Sequence, residues 1–123
     1  MPLQQTTSAN PGSPTAFIGR QAITLAAGGT TNIDFSLGDI VVLTFGAGNC
    51  TLTFSNIPDG KRITIHFIQD GVGSRTLTWP ATAKFAAATA PTLSTGANKR
   101  DCMTFTSDGV NVYASSAIVL DIR

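Results

Sequence analysis

The chain has 123 residues, enough for one domain built on one hydrophobic core. Hydrophobic residues make up 42% of it and charged residues only 12%, with a formal net charge of +1. This balance excludes a disordered chain, and the dispersed arginines (Arg20, Arg62, Arg75, Arg100, Arg123) exclude a basic nucleic-acid-binding stripe.

The kinds of charge that are missing point to fold class. There is no Glu, and Lys occurs only at Lys61, Lys84 and Lys99. Glu, Lys and Leu normally fill surface helix positions. Here Thr, Ser, Gly, Ala and Asn take those places, and the branched carbon of Thr suits a pleated, half-buried surface.

Residues 1–16 are polar, aperiodic and interrupted by Pro2, Pro11 and Pro14. Prolines at this density block helix and central strand alike. The segment reads as an extended arm, either a frayed terminus or an arm that orders on a partner. It lacks the cationic start and apolar stretch of a signal peptide, and no window is apolar enough to span a bilayer. Synthesis and folding in a cytoplasm are expected.

From Phe17 onward, apolar and polar residues alternate with period two. The runs hold Ile23 and Leu25, then Ile33, Phe35 and Leu37, then Val41, Leu43 and Phe45. Leu52 and Phe54 follow, then Ile63, Ile65 and Phe67, then Leu77 and Trp79, then Met103 and Phe105, then Val110 and Val112. A last apolar run covers Ala117 to Ile122. Between them stand Gly28-Gly29, Gly46 to Asn49, Pro58-Asp59-Gly60, Asp70-Gly71-Val72-Gly73 and Asp108-Gly109. Asp-Gly supplies the positive φ of tight hairpins, and Asp59, Asp70 and Asp108 are placed to hydrogen-bond their turns. The expectation is an all-β, single-domain antiparallel β-sandwich or small jelly-roll-like barrel over residues 17–123. The stretch from Ala81 to Gly96 departs from the alternation and reads as a long loop, which marks it as a second contact surface.

The residues offer little for catalysis. His66 is the sole histidine, and nothing in the sequence brings Cys50 or Cys102 beside it. The two cysteines fit no metal-ligand spacing and read as free, partly buried thiols. Gly71-Val72-Gly73 lacks the Gly-Lys-Ser/Thr ending of a phosphate loop. Trp79 and Tyr113 could form a sugar platform, but Trp79 shares a face with Leu77 and reads as core. No catalytic residue, metal or cofactor is expected.

The stretch from Leu52 to Tyr113 resembles a module of tailed-phage virion proteins, found in tail-fibre, head-fibre and capsid decoration or cement proteins. The resemblance rests on Asn56-Ile57-Pro58-Asp59-Gly60, Gln69-Asp70-Gly71-Val72-Gly73, Leu77-Thr78-Trp79-Pro80, Ala90-Pro91-Thr92-Leu93-Ser94, and Asp101, Thr104, Phe105, Asp108 and Gly109. It implies a β-structured, usually trimeric virion module and carries no catalytic residue over.

A chain this short, with no shaft repeats, fits a decoration protein better than a whole fibre. The expected function is structural: an oligomer that binds the assembled shell and stabilises it, on the capsid surface. The alternative is a fibre domain that binds a receptor or glycan. The expected partners are the major capsid protein or another virion protein and copies of the chain itself, with no nucleic acid and no membrane. Candidate partner-binding residues are Pro2, Leu3, Gln4, Gln5, Pro11, Pro14 and Phe17 near the N-terminus, with Lys84, Phe85 and Pro91 in the long loop.

Overall fold

The structure, a computed structural model, describes residues 19–123. The expected arm over residues 1–16, and Phe17 beside it, lie outside the described residues. The protein is all-β. Its strands are β1 (Arg20–Thr24), β2 (Thr30–Asp34), β3 (Ile40–Thr44), β4 (Cys50–Ser55), β5 (Asp59–Ile68), β6 (Leu77–Thr78), β7 (Ala83–Lys84), β8 (Arg100–Asp108) and β9 (Val112–Ala114).

The first six strands alternate between two sheets. β1, β3 and β5 lie side by side and parallel in a six-stranded sheet of order β1-β3-β5-β8-β9-β7. β2, β4 and β6 lie side by side and parallel in a three-stranded sheet. The chain therefore winds through three turns of a coil, each turn adding one strand to each sheet. β8 then returns antiparallel along β5 and turns back through β9.

The register stacks like positions over one another. Ile23, Leu43 and Phe67 form one row, and Gln21, Val41, Ile65 and Met103 the next. These rows face a core shared with Ile33 and Leu52 of the three-stranded sheet. Most of the alternating apolar residues read from the sequence are buried there, among them Leu25, Phe35, Phe45, Phe105 and Val112. Trp79 packs edge-on or tilted against four rings, with centroids 6.5 Å from Phe54, 5.7 Å from Phe67, 5.0 Å from Phe85 and 5.9 Å from Phe105.

The antiparallel pairing expected from the turn signals is corrected here. β1–β3, β3–β5, β2–β4, β4–β6 and β7–β9 are parallel, and only β5–β8 and β8–β9 are antiparallel. The physical reason is that alternation reports one buried face and is silent on strand direction. Parallel strands usually read as continuous apolar runs because both faces are covered. Here the coil leaves one face of each strand outward, so the alternation survives.

The turn signals divide in the same way. Asp70 to Thr76 carries the chain to the other sheet instead of closing a hairpin. Asp59 and Gly60 lie within β5, where the register with β8 shifts between Asp59 and Arg62. Asp108-Gly109 alone among the three Asp-Gly pairs closes a tight hairpin, between β8 and β9. The apolar tail forms no strand, touching β8 through an isolated bridge between Cys102 and Val119.

Phe67 stands at the junction of both sheets and the Trp79 cluster. Phe67→Ala is expected to lower stability by roughly 3–5 kcal/mol, read from urea denaturation. An unchanged midpoint would contradict its inward placement.

Candidate functional site

Of the residues that carry the family resemblance, Gln69, Asp70, Ser94 and Asp101 gather where the inward rows of β5 and β8 run out, while Asp59-Gly60 and Asp108-Gly109 lie at the opposite end of that strand pair. Alternation along β5 places Ile63, Ile65 and Phe67 inward, and the next inward position is Gln69. Alternation along β8 places Met103 and Phe105 inward and ends on Asp101. Both polar side chains are buried, so each must find partners inside the protein.

They do. The Gln69 amide nitrogen donates to the Arg75 and Ser94 carbonyls, both at 2.9 Å, and its oxygen accepts from the Arg75 N–H at 3.0 Å. The Asp101 carboxylate accepts from the Ser94 N–H and hydroxyl, both at 2.7 Å, and from the Asp121 N–H at 2.9 Å. Three separate segments, at 70–75, at 94 and at 121, are thus tied to the two central strands.

Asp70 closes the first of these segments. Its Oδ1 accepts from the N–H groups of Val72 at 3.3 Å and Gly73 at 2.8 Å. Arg75 reaches both oxygens, with Nη2 3.0 Å from Oδ2. The Arg75 guanidinium, and then the Gly73 N–H, hold the Asp70 carboxyl below its ordinary range. Gly73 is required: its φ is +88°, and a Cβ there would sit 2.3 Å from the Thr95 carbonyl oxygen. Gly71 has no such crowding.

Asp108 works the same way at the β8–β9 hairpin. Its Oδ1 accepts from Val110 at 3.0 Å and Asn111 at 2.7 Å, and the Tyr113 hydroxyl donates to Oδ2 at 2.9 Å. These donors hold its carboxyl low, the Asn111 N–H contributing most. Gly109 follows at φ +86°. The Asp59 side chain accepts no hydrogen bond from its turn among the described residues, so the turn role expected of it is not seen. Gly60 supplies the positive φ of +75° there.

Nothing in the sequence brings His66 and Cys102 together, but the structure does. The β5–β8 register pairs them directly, with Nε2 and Sγ 3.7 Å apart. Arg100 Nε lies 3.3 Å from His66 Nδ1. An arginine can only donate, so Nδ1 accepts and Nε2 carries the proton toward sulfur. Burial, and then Arg100, push the imidazole below its ordinary value. Burial pushes the Cys102 thiol up, Arg100 partly opposing. A nucleophilic pair needs a histidine free to take the thiol proton and become cationic. Arg100 occupies the nitrogen that would have to stabilise that cation, so this arrangement favours neutral thiol and neutral imidazole. No sequence signal could have found the pair, because a separation of this length becomes a contact only through strand register.

Cys50 is a free, buried thiol directed at Thr31 Oγ1, 3.4 Å away, and Cys102 is free and half-buried. Among the described residues, no group of three or more His, Cys, Asp or Glu side chains could hold a metal ion. Trp79 and Tyr113 do not form a shared platform: the indole is surrounded by core rings, and the phenol is tied to Asp108.

The long stretch from Ala81 to Gly96 contains β7 and a short 3₁₀ turn at Ala86–Ala88, in which Ala87 and Ala88 take left-handed φ of 54° and 56°. Together with Ala114 to Ile118 it lines an open groove of about 550 Å³. Phe85 and Pro91 both line this groove, whereas exposed Lys84 does not. A second cleft of about 200 Å³ lies along Arg75, Trp79 and Leu93. Pro2, Leu3, Gln4, Gln5, Pro11, Pro14 and Phe17 lie outside the described residues.

Compared with family models, with curated proteins and with solved structures, the chain matches none.

Asp101→Ala would leave the Ser94 and Asp121 donors unpaired inside the protein. It is expected to cost about 3 kcal/mol and to raise hydrogen exchange at Ser94 and Asp121 first. His66 gives a pH signature. Its folded pKa lies below the unfolded value of about 6.5, so the unfolded chain takes up the proton first. Stability is expected to fall as pH drops from about 6.5 through the folded value, and His66→Gln should flatten that part of a melting-temperature profile.

Proposed function

We propose that this chain is a non-catalytic structural protein of a phage virion, a decoration or cement protein that binds the assembled shell as an oligomer. In this reading it is made in the host cytoplasm, sits on the capsid surface and forms a two-layer β-sandwich-like module. The observation that carries the proposal is the outward face of the six-stranded sheet. Ala22, Val42, His66, Cys102 and Val119 follow one another across the strands, with Ile40, Thr64 and Thr104 beside them. This patch itself carries no fixed charge; the charges on the same face are cations around it, Arg20 and Arg100 beside it and Arg62 and Lys84 in the row Arg62-Thr106-Tyr113-Lys84. Close-packed protein interfaces are depleted in Lys and Glu in the same way.

The family resemblance supports the same reading. So does the internal use of the motif residues: Gln69, Asp70, Asp101 and Asp108 hold loops in place and leave no obvious chemistry at the surface. A small domain gains little from one contact, but an oligomer seated on a symmetric shell makes several at once. Among the described residues no helix is long and apolar enough to cross a membrane.

The alternative, a fibre domain that binds a receptor or glycan, is favoured by one feature. β1 and β2 are open edges at the start of the coil among the described residues, where another β element could pair.

Light scattering of the purified protein should give the mass of a trimer, and shells carrying it should survive higher temperature than bare shells. A monomer at micromolar concentration that binds free coat protein and shells equally would overturn the proposal. Hits on a glycan array with no shell binding would favour the fibre reading.

A further inference from the structure

We propose that the outward face of the six-stranded sheet docks on an acidic protein surface, a flat apolar patch ringed by carboxylates. The inference rests on the reading above, in which this face is the one that meets the shell.

The placement of charge carries it. The chain has eight cationic side chains and seven acidic ones, and every acidic one lies among the described residues. Four of the cations are paired within the molecule: Lys61 with Asp39, Arg75 with Asp70, and Lys99 and Arg123 with Asp121. The other four, Arg20, Arg62, Lys84 and Arg100, form no salt bridge among the described residues. These are the four that strand register places on the outward sheet face. Arg100 donates there to a neutral His66 ring, which leaves its charge uncompensated. The nearest carboxylates, Asp59 and Asp108, stand one register step past Arg62, at the hairpin end. Asp108 spends both oxygens on Val110, Asn111 and Tyr113.

Unpaired cations thus surround a centre that holds Ala22, Ile40, Val42 and Val119. An interface of this plan excludes water from its apolar centre and meets opposite charge at its rim. Rim charge of complementary sign steers the encounter and fixes the orientation of the partner.

Geometry selects a protein as the occupant. Arg20 and Arg100 are three strands apart, as are Arg62 and Lys84, a separation of about 14 Å in each case. The cations therefore stand apart around a patch. Nucleic acid calls for a basic track along its backbone and for stacking aromatics, and the Tyr113 phenol on this face is tied to Asp108. A second copy is excluded by like charge, because a twofold contact through this face would set four cations against four. The face spans about 24 Å across its six strands and about 20 Å along them, roughly 480 Å². A stable interface buries about 800 Å² per partner. One contact of this size is weak, whereas an oligomer on a shell makes several at once.

The test uses bare shells, the full chain and a carbodiimide, which joins amines to carboxylates in contact with them. Lys84 is expected to cross-link to Asp or Glu of the shell protein. Arg20→Lys and Arg62→Lys keep the charge, add an amine and should each add a cross-link. Binding measured by co-sedimentation should weaken as salt rises from about 0.05 M to about 0.5 M. Arg62→Glu combined with Lys84→Glu should weaken it about tenfold at an unchanged melting temperature. Arg20→Glu gives the same test should that pair misfold, and Arg123→Glu, which lies off the face, should leave binding unchanged. Shell binding that ignores both salt and the reversals on the face would overturn the inference and leave the proposed function standing. Absence of shell binding at any salt concentration would overturn both. A duplex oligonucleotide that the full chain binds and the reversals release would overturn the inference in favour of nucleic acid. A native mass lowered by the reversals would overturn it by showing that the face joins copies.

Discussion

Two polar side chains at the ends of the inward rows hold this structure together. β5 and β8 are the central antiparallel pair, and each carries apolar residues inward until it reaches Gln69 or Asp101. A buried amide or carboxylate is tolerable only when its hydrogen bonds are made. Gln69 makes them with Arg75 and Ser94, and Asp101 with Ser94 and Asp121. Ser94 is bonded to both. The loop that ends the coil, the loop that lines the groove and the C-terminal segment are therefore fixed by one connected network, whose removal at any point leaves buried donors behind.

The coil that this network closes has its own physical logic. Winding between two sheets gives every strand an inward face and an outward one, and stacks like residues in rows across the turns. The apolar rows enclose a core that Trp79 completes, filling the space between Phe54, Phe67, Phe85 and Phe105. The antiparallel return of β8 and β9 finishes one side of the six-stranded sheet, and β1 forms its other edge.

The titratable groups of the protein are tied up in hydrogen bonds of its own. Its carboxylates at 70, 101 and 108 are engaged with backbone N–H groups, and its one histidine accepts from an arginine beside a protonated thiol. What faces outward on the broad sheet is Thr, Ala, Val and Ile around the His66–Cys102 pair, with Arg20, Arg62, Lys84 and Arg100 about them, and an uncharged groove lies at its edge. A surface of this kind is suited to lying against other protein, which is the basis of the structural role proposed.

The sequence by itself determined the class of structure and much of its core. Period-two alternation marked Ile33, Val41, Leu43, Ile63, Ile65, Phe67 and Phe105 as inward, because a strand must turn alternate side chains to opposite faces. Asp-Gly marked the β8–β9 hairpin. Tertiary structure alone decided the parallel winding, the buried roles of Gln69 and Asp101, and the meeting of His66 with Cys102. Alternation is the same for parallel and antiparallel strands, so direction is invisible to it. Register between β5 and β8 is a long-range choice made by the packed core, and it was that choice which placed a histidine, a cysteine and an arginine side by side.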